Sequence, residues 1–124
     1  MKTPKDPRHI KRQEIVKALF AEGFLPQNDK NEKVAGILSQ INKINKKVEE
    51  IAPEFPIEKI NKVDLAILQL GVYELMIKKS APEKVIIDEA IELAKEFGND
   101  ASASFINGAL GKLSKDMKNG SSTS

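Results

Sequence analysis

Fifteen residues near the middle of the chain, Val63 to Ile77, constrain the fold more than any other feature. Val63, Leu65, Ala66, Ile67, Leu68, Leu70, Val72, Tyr73, Leu75, Met76 and Ile77 would be apolar on almost every side of a helix. A helix that is apolar all round is buried all round. The run is too long and leucine-rich for one strand. It is also shorter than the roughly 18 apolar residues that argue for a membrane span. It predicts a central helix wrapped by others. Gly71, inside it, costs about 1 kcal/mol against alanine.

The wrapping elements are legible on either side. Asp6-Pro7 reads as a helix start, with the acid at the cap and proline in the first turn. Ile15, Leu19 and Phe20 then form one stripe, and Gly23 stands where that helix would end. Residues 24–31, with Pro26 and Asn28-Asp29, read as a loop. Val34, Ile37, Leu38, Ile41, Ile44, Val48 and Ile51 step by three and four, predicting one long amphipathic helix that ends before Pro53. Ile57 and Ile60 add a single short turn. Ser80-Ala81-Pro82-Glu83 starts another helix, with proline in its first turn. Ile86, Ile87, Ala90, Ile91, Ala94 and Phe97 face inward on it, while Asp88, Glu89, Glu92, Lys95 and Glu96 face water. Phe105, Ile106, Ala109, Leu110, Leu113 and Met117 form the last stripe. Gly108 and Gly111 there predict close backbone approach to a neighbour. The fold class expected is all-α: a single-domain bundle of about five to six helices over residues 1–117, then a flexible polar tail, 118–124.

Most chemistry is missing from such a chain. It has no cysteine and one histidine, which excludes disulfide scaffolds, thiolate metal sites and multi-histidine metal sites. No cofactor, metal or catalytic residue is expected, so the chain reads as a non-enzyme. His9, the sole imidazole, falls in a basic turn that reads as exposed, with no serine or orienting acid in view. Gly108-Ala109-Leu110-Gly111-Lys112-Leu113 has the wrong spacing for a phosphate loop and lacks a hydroxyl residue after the lysine. Asp88, Glu89 and Glu92 read as a solvated helix face, because no second carboxylate-rich helix repeats them. The N-terminus has a basic start but no apolar stretch, so no signal peptide is expected, and the expected compartment is the cytoplasm.

The net charge of +2 conceals an asymmetry. Residues 1–17 carry Lys2, Lys5, Arg8, Lys11, Arg12 and Lys17 against Asp6 and Glu14, a net +4. The other 107 residues sum to −2, and residues 83–100 alone to −4. Arg8, Lys11 and Arg12 are three and four apart, so they share a helix face. Such a face either tracks a phosphate backbone or merely keeps a helix soluble.

Several ordered motifs then resemble one family. Val63-Asp64-Leu65-Ala66-Ile67-Leu68-Gln69-Leu70-Gly71-Val72-Tyr73-Glu74-Leu75 resembles the core helix of the NusB family. Pro82 to Gly98 and Phe105-Ile106-Asn107-Gly108-Ala109-Leu110 are similar to that family's later helices. Arg8, Arg12, Ala18, Leu19 and Phe20 match its Arg-rich first helix and the Ala-Leu-aromatic near its end. The chain departs from the pattern in a shorter connection between Leu25 and Val34, and in having His9 and Lys11 among its arginines.

The resemblance implies a transcription antitermination factor that binds the boxA element of ribosomal RNA leader transcripts. Its partner would be NusE, also a small-subunit ribosomal protein, and the pair would join RNA polymerase and other Nus factors. It further implies that Lys5, Arg8, His9, Lys11 and Arg12 form the RNA-binding end. Phe105 either stacks on an unpaired base or packs beside Ile106. Phe20 and Asp64 match the NusE-facing surface, and Tyr73 and Glu74 are structural. A homodimer is compatible with the sequence. The alternative is an RNA-binding fragment of a ribosomal RNA cytosine methyltransferase, though no glycine-rich methyl-donor loop is present.

Overall fold

A computed structural model describes residues 6–26 and 31–123, the side chains of 120–123 excepted. Lys5, the Asn28-Asp29 part of the predicted loop and Ser124 lie outside the described residues. Six α-helices follow in order: α1 Pro7–Glu22, α2 Glu32–Ser39, α3 Ile41–Ile51, α4 Lys62–Val72, α5 Glu83–Phe97 and α6 Asp100–Thr123. A short 3₁₀ turn, Ile57–Lys59, precedes α4, and a π-helical turn, Tyr73–Lys78, continues it. No strand occurs among the described residues, so the fold is the expected all-α bundle.

The starts are set by Asx side chains. Asp6 accepts the Arg8 backbone N–H at 2.9 Å, Asn31 that of Lys33 at 2.9 Å, Asn61 that of Val63 at 2.8 Å and Asn99 that of Ser102 at 2.9 Å. Each satisfies a donor that the first turn leaves without an intrahelical partner. Pro82 stands just before α5 as its cap residue, one place earlier than its expected position inside the first turn.

The centre is α4. It packs against α1, α3, α5 and α6, and Ala66, Ile67, Leu68, Leu70 and Val72 are all buried. Arg12 bonds Glu74, just past the end of α4, while Leu19, two turns further along α1, lines one small cavity with Leu65 near the start of α4, so α1 and α4 run antiparallel. The contacts His9–Glu89, His9–Glu96 and Lys17–Phe97 place α1 alongside α5 in parallel.

Three expectations about the backbone need correction. Residues 34–51 form two helices rather than one, because the chain turns at Gln40 (φ −112°, ψ 14°). Ser39 Oγ donates to the Gly36 carbonyl at 2.7 Å, closing α2 there. A one-residue break keeps the steps of three and four intact, so periodicity alone does not reveal it. The close approach of α6 to its neighbour also lies elsewhere. A Cβ on Gly108 or Gly111 would meet nothing within 4 Å, whereas one on Gly71 would lie 2.8 Å from Leu110 Cδ1. The interior glycine of α4, and neither Gly108 nor Gly111 of α6, therefore lets these two helices meet. Finally, α6 stays helical to Thr123, beyond Met117 where the apolar stripe ends. Extending an existing helix fixes one residue per hydrogen bond gained, so the helix continues past the last apolar position.

Candidate nucleic-acid interface

The N-terminal half of α1 carries two kinds of cation. Arg8 and Lys11 point to solvent, the Arg8 side chain being 83% exposed beside Asp6 at 3.4 Å. Arg12 turns inward. Its Nε and one Nη donate to the two oxygens of Glu74 at 2.8 and 2.7 Å, and its other Nη lies 3.5 Å from Glu89. This fork-to-fork pair holds α1 against the π turn, and the hydrogen bonds to Glu74 keep the guanidinium firmly charged despite burial. The three cations therefore do not share one exposed face. Arg12 continues the Ile15/Leu19 stripe by one more turn.

His9 also faces inward, contrary to its expected exposure. It is 3% exposed. Its Nδ1 lies 2.8 Å from Glu89 Oε1, and its Nε2 lies 2.9 Å from both oxygens of Glu96. Gln13 donates to Glu96 at 3.1 Å. Glu89, assigned from sequence to a solvated face, is 6% exposed. Burial is tolerated because two cations neutralise it.

Above this network lies a cleft of about 420 Å³. Arg8 and Lys11 of α1, Lys33 of α2 and Lys78 of the π turn line it. Its floor includes Ile15, Ile37, Leu70, Tyr73, Ala81 and Val85. Val85 is 44% exposed, an apolar surface set among cations. Lys33 and Lys78 had no signal in the sequence, because they reach the cleft only through the packing of α2 and the π turn beside α1. The backbone of that turn is fixed by the Lys79 N–H, which bonds the Glu74 carbonyl at 2.8 Å in the i to i−5 pattern. Cations rimming an apolar floor can hold phosphates while unstacked bases lie on the floor.

The remaining candidates lie elsewhere. Phe105 is half-buried and packs edge-on to Phe55, with ring centroids 5.9 Å apart, outside the cleft lining. Phe20 sits at the far end of α1 and meets Phe24 edge-on at 5.0 Å. With Leu25, 68% exposed, and Lys62 over the Phe24 ring at 5.3 Å, they make an exposed apolar patch. Phe24 and Leu25 were not singled out from the sequence, where they read as loop.

Asp64 is 8% exposed, and its Oδ1 has no hydrogen-bond partner among the described residues. Burial raises its carboxyl above the usual range, against a smaller opposing hydrogen bond from Ser102. A carboxyl raised on folding costs stability wherever it is ionised in the native state. Asp64→Asn is therefore expected to raise the melting temperature at pH 7. Melting curves over pH should show the gap narrowing as pH falls through the raised folded value and closing below the ordinary aspartate value of about 4.

These features define a small all-α module with a cation-rimmed cleft at one end of α1 and an aromatic patch at the other. The NusB family model matches residues 9–115. The chain is 40% identical over 106 residues to the transcription antitermination protein NusB of Geotalea daltonii, covering 79% of this chain and 73% of that protein. It is 41% identical over 85 residues to that of Clostridium novyi, covering 68% and 64%, and 42% over 88 residues to that of Finegoldia magna, covering 71% and 64%. The chain belongs to the NusB family. It spans about two thirds to three quarters of the length of these relatives.

Proposed function

We propose that this chain is a transcription antitermination factor that binds boxA-type single-stranded RNA together with NusE. It would act in the cytoplasm, within the RNA polymerase assembly that contains other Nus factors. The observation that carries the reading is the cleft: Arg8, Lys11, Lys33 and Lys78 around an apolar floor, contributed by three elements of the fold. Four cations supply only modest affinity for RNA, since each phosphate contact adds a limited, salt-dependent share. A protein partner that adds RNA contacts fits that shortfall.

The patch of Phe20, Phe24 and Leu25 offers the partner a place. Arg8 and Phe20 are twelve residues apart on one helix, roughly 18 Å at 1.5 Å per residue. RNA at one end therefore leaves the other end free for NusE. Phe105, with the 47%-exposed Phe55 beside it, gives a longer RNA a stacking surface beyond the cleft. Arg12 serves as a support for the cleft wall and is not a direct reader.

The test is fluorescence anisotropy with a labelled boxA-type RNA, with and without NusE. Arg8→Ala and Lys11→Ala should each weaken binding by roughly three- to ten-fold, more at low salt. Phe20→Asp should abolish the gain from NusE and leave binding to RNA alone unchanged. Parent-like RNA binding by both cation variants would refute the cleft as the RNA site.

A further inference from the structure

His9 stands between two carboxylates, and both of its ring nitrogens are engaged. An ionised carboxylate only accepts hydrogen bonds, and a neutral imidazole has one N–H. A neutral His9 would thus set a lone pair against either Glu89 or Glu96. Only the imidazolium donates to both, across distances of 2.8 and 2.9 Å. Burial disfavours that charge, but the hydrogen bonds to Glu89 and Glu96 outweigh it and raise the group above 6.5.

The groups facing His9 come from three elements. From α5 come Glu89 and Glu96. From α1 comes Arg12, which shares Glu89, and Gln13, which shares Glu96. Glu74 of the π turn is held by Arg12, and the capping Asp6, three residues before His9, accepts the Arg8 backbone N–H. His9, Arg12, Glu74 and Glu89 all border the cleft. With His9 charged, the network of His9, Arg12, buried Glu74 and Glu89, and the more exposed Glu96 sums to −1. Loss of its proton makes that −2 and removes one of the two ties that His9, in the first turn of α1, makes to Glu89 and Glu96 of α5.

We propose that His9 is a positioning residue that links RNA binding to pH: its imidazolium holds Arg8 and Lys11 in place over the cleft, and RNA affinity falls as it deprotonates. The inference rests on the cleft being the RNA interface. The sign follows from linkage. A cation stabilised on folding contributes fully below about pH 6.5, and its contribution is lost as pH rises through its raised folded value.

His9 is the only histidine, so its imidazole ¹⁵N resonances are unambiguous in the full chain. Their titration midpoint should lie above 6.5 in the parent and lower in Glu96→Gln, a change at a side chain 35% exposed. Affinity for the boxA-type RNA oligonucleotide should drop roughly five-fold between about pH 6 and 8.5, the effect of one unit charge near the site. Glu96→Gln should move that drop to lower pH, and His9→Gln should show flat, weak binding throughout. If RNA binds but the parent profile is flat, or the same slope persists in His9→Gln, the inference is overturned and the RNA reading stands. A midpoint below 6.5 overturns it equally. Absence of RNA binding at every pH overturns the reading of the cleft, and this inference with it.

Discussion

Arg12→Ala is expected to cost about 3–5 kcal/mol of folding stability, the range for removing one partner of a buried ion pair. The reason is what remains. Glu74 is 7% exposed and accepts from Arg12 at both oxygens. Without the guanidinium its carboxylate stays buried with no counter-charge, and Glu89 loses its neighbour at 3.5 Å. Denaturant titration measures the loss directly. The double variant Arg12→Met/Glu74→Leu should recover much of it, because replacing both partners by apolar groups is often close to neutral. If Arg12→Ala is as stable as the parent, the pair is not the clamp described. Equal losses in the single and double variants would show that packing, not charge, sets the cost.

Leu68→Ala should be similarly severe, at about 2–5 kcal/mol. Leu68 is fully buried on α4, the helix that touches α1, α3, α5 and α6. Removing its branched end opens a void bordered by several helices, and collapse of one toward it would pull that helix from the rest. The cost should therefore fall toward the upper part of the range, and the unfolding transition should remain a single step. Ile57→Ala offers the contrast, since that side chain is only partly buried at the edge of the core, and its loss should stay near 1 kcal/mol. Comparable losses at both positions would contradict a core centred on α4.

The central helix was legible because burial on every side leaves a uniform apolar run, and Val63 to Ile77 has one. Helix starts at Asp6 and near Glu83 were legible from cap and proline chemistry. The break at Gln40 was not, since a one-residue turn preserves the apolar spacing. The candidate site was legible only in its exposed part. Arg8 and Lys11 carry charge where the sequence places it, but His9, Arg12 and Glu89 are charged residues on buried faces. Their spacing held a clue: 9, 12, 16 and 19 continue one stripe on α1, as 86, 89, 93 and 96 do on α5. A polar residue on such a stripe reads as surface until its partner on the facing helix is known. Lys33 and Lys78 depend on tertiary packing alone, and no local pattern marks them.

The measurement that bears most directly on the account is the salt dependence of RNA binding. Binding of the boxA-type RNA should be titrated at several salt concentrations for the parent and for the variant with Arg8, Lys11, Lys33 and Lys78 all changed to alanine. About 0.7 of slope per contact on a single strand predicts that the logarithmic salt slope falls by roughly 2 to 3. A control with Lys43, Lys46, Lys59 and Lys115 changed to alanine, all exposed and outside the cleft lining, should keep the parent slope. If the control loses as much slope as the cleft variant, charge anywhere on the surface suffices and the cleft is not the RNA site.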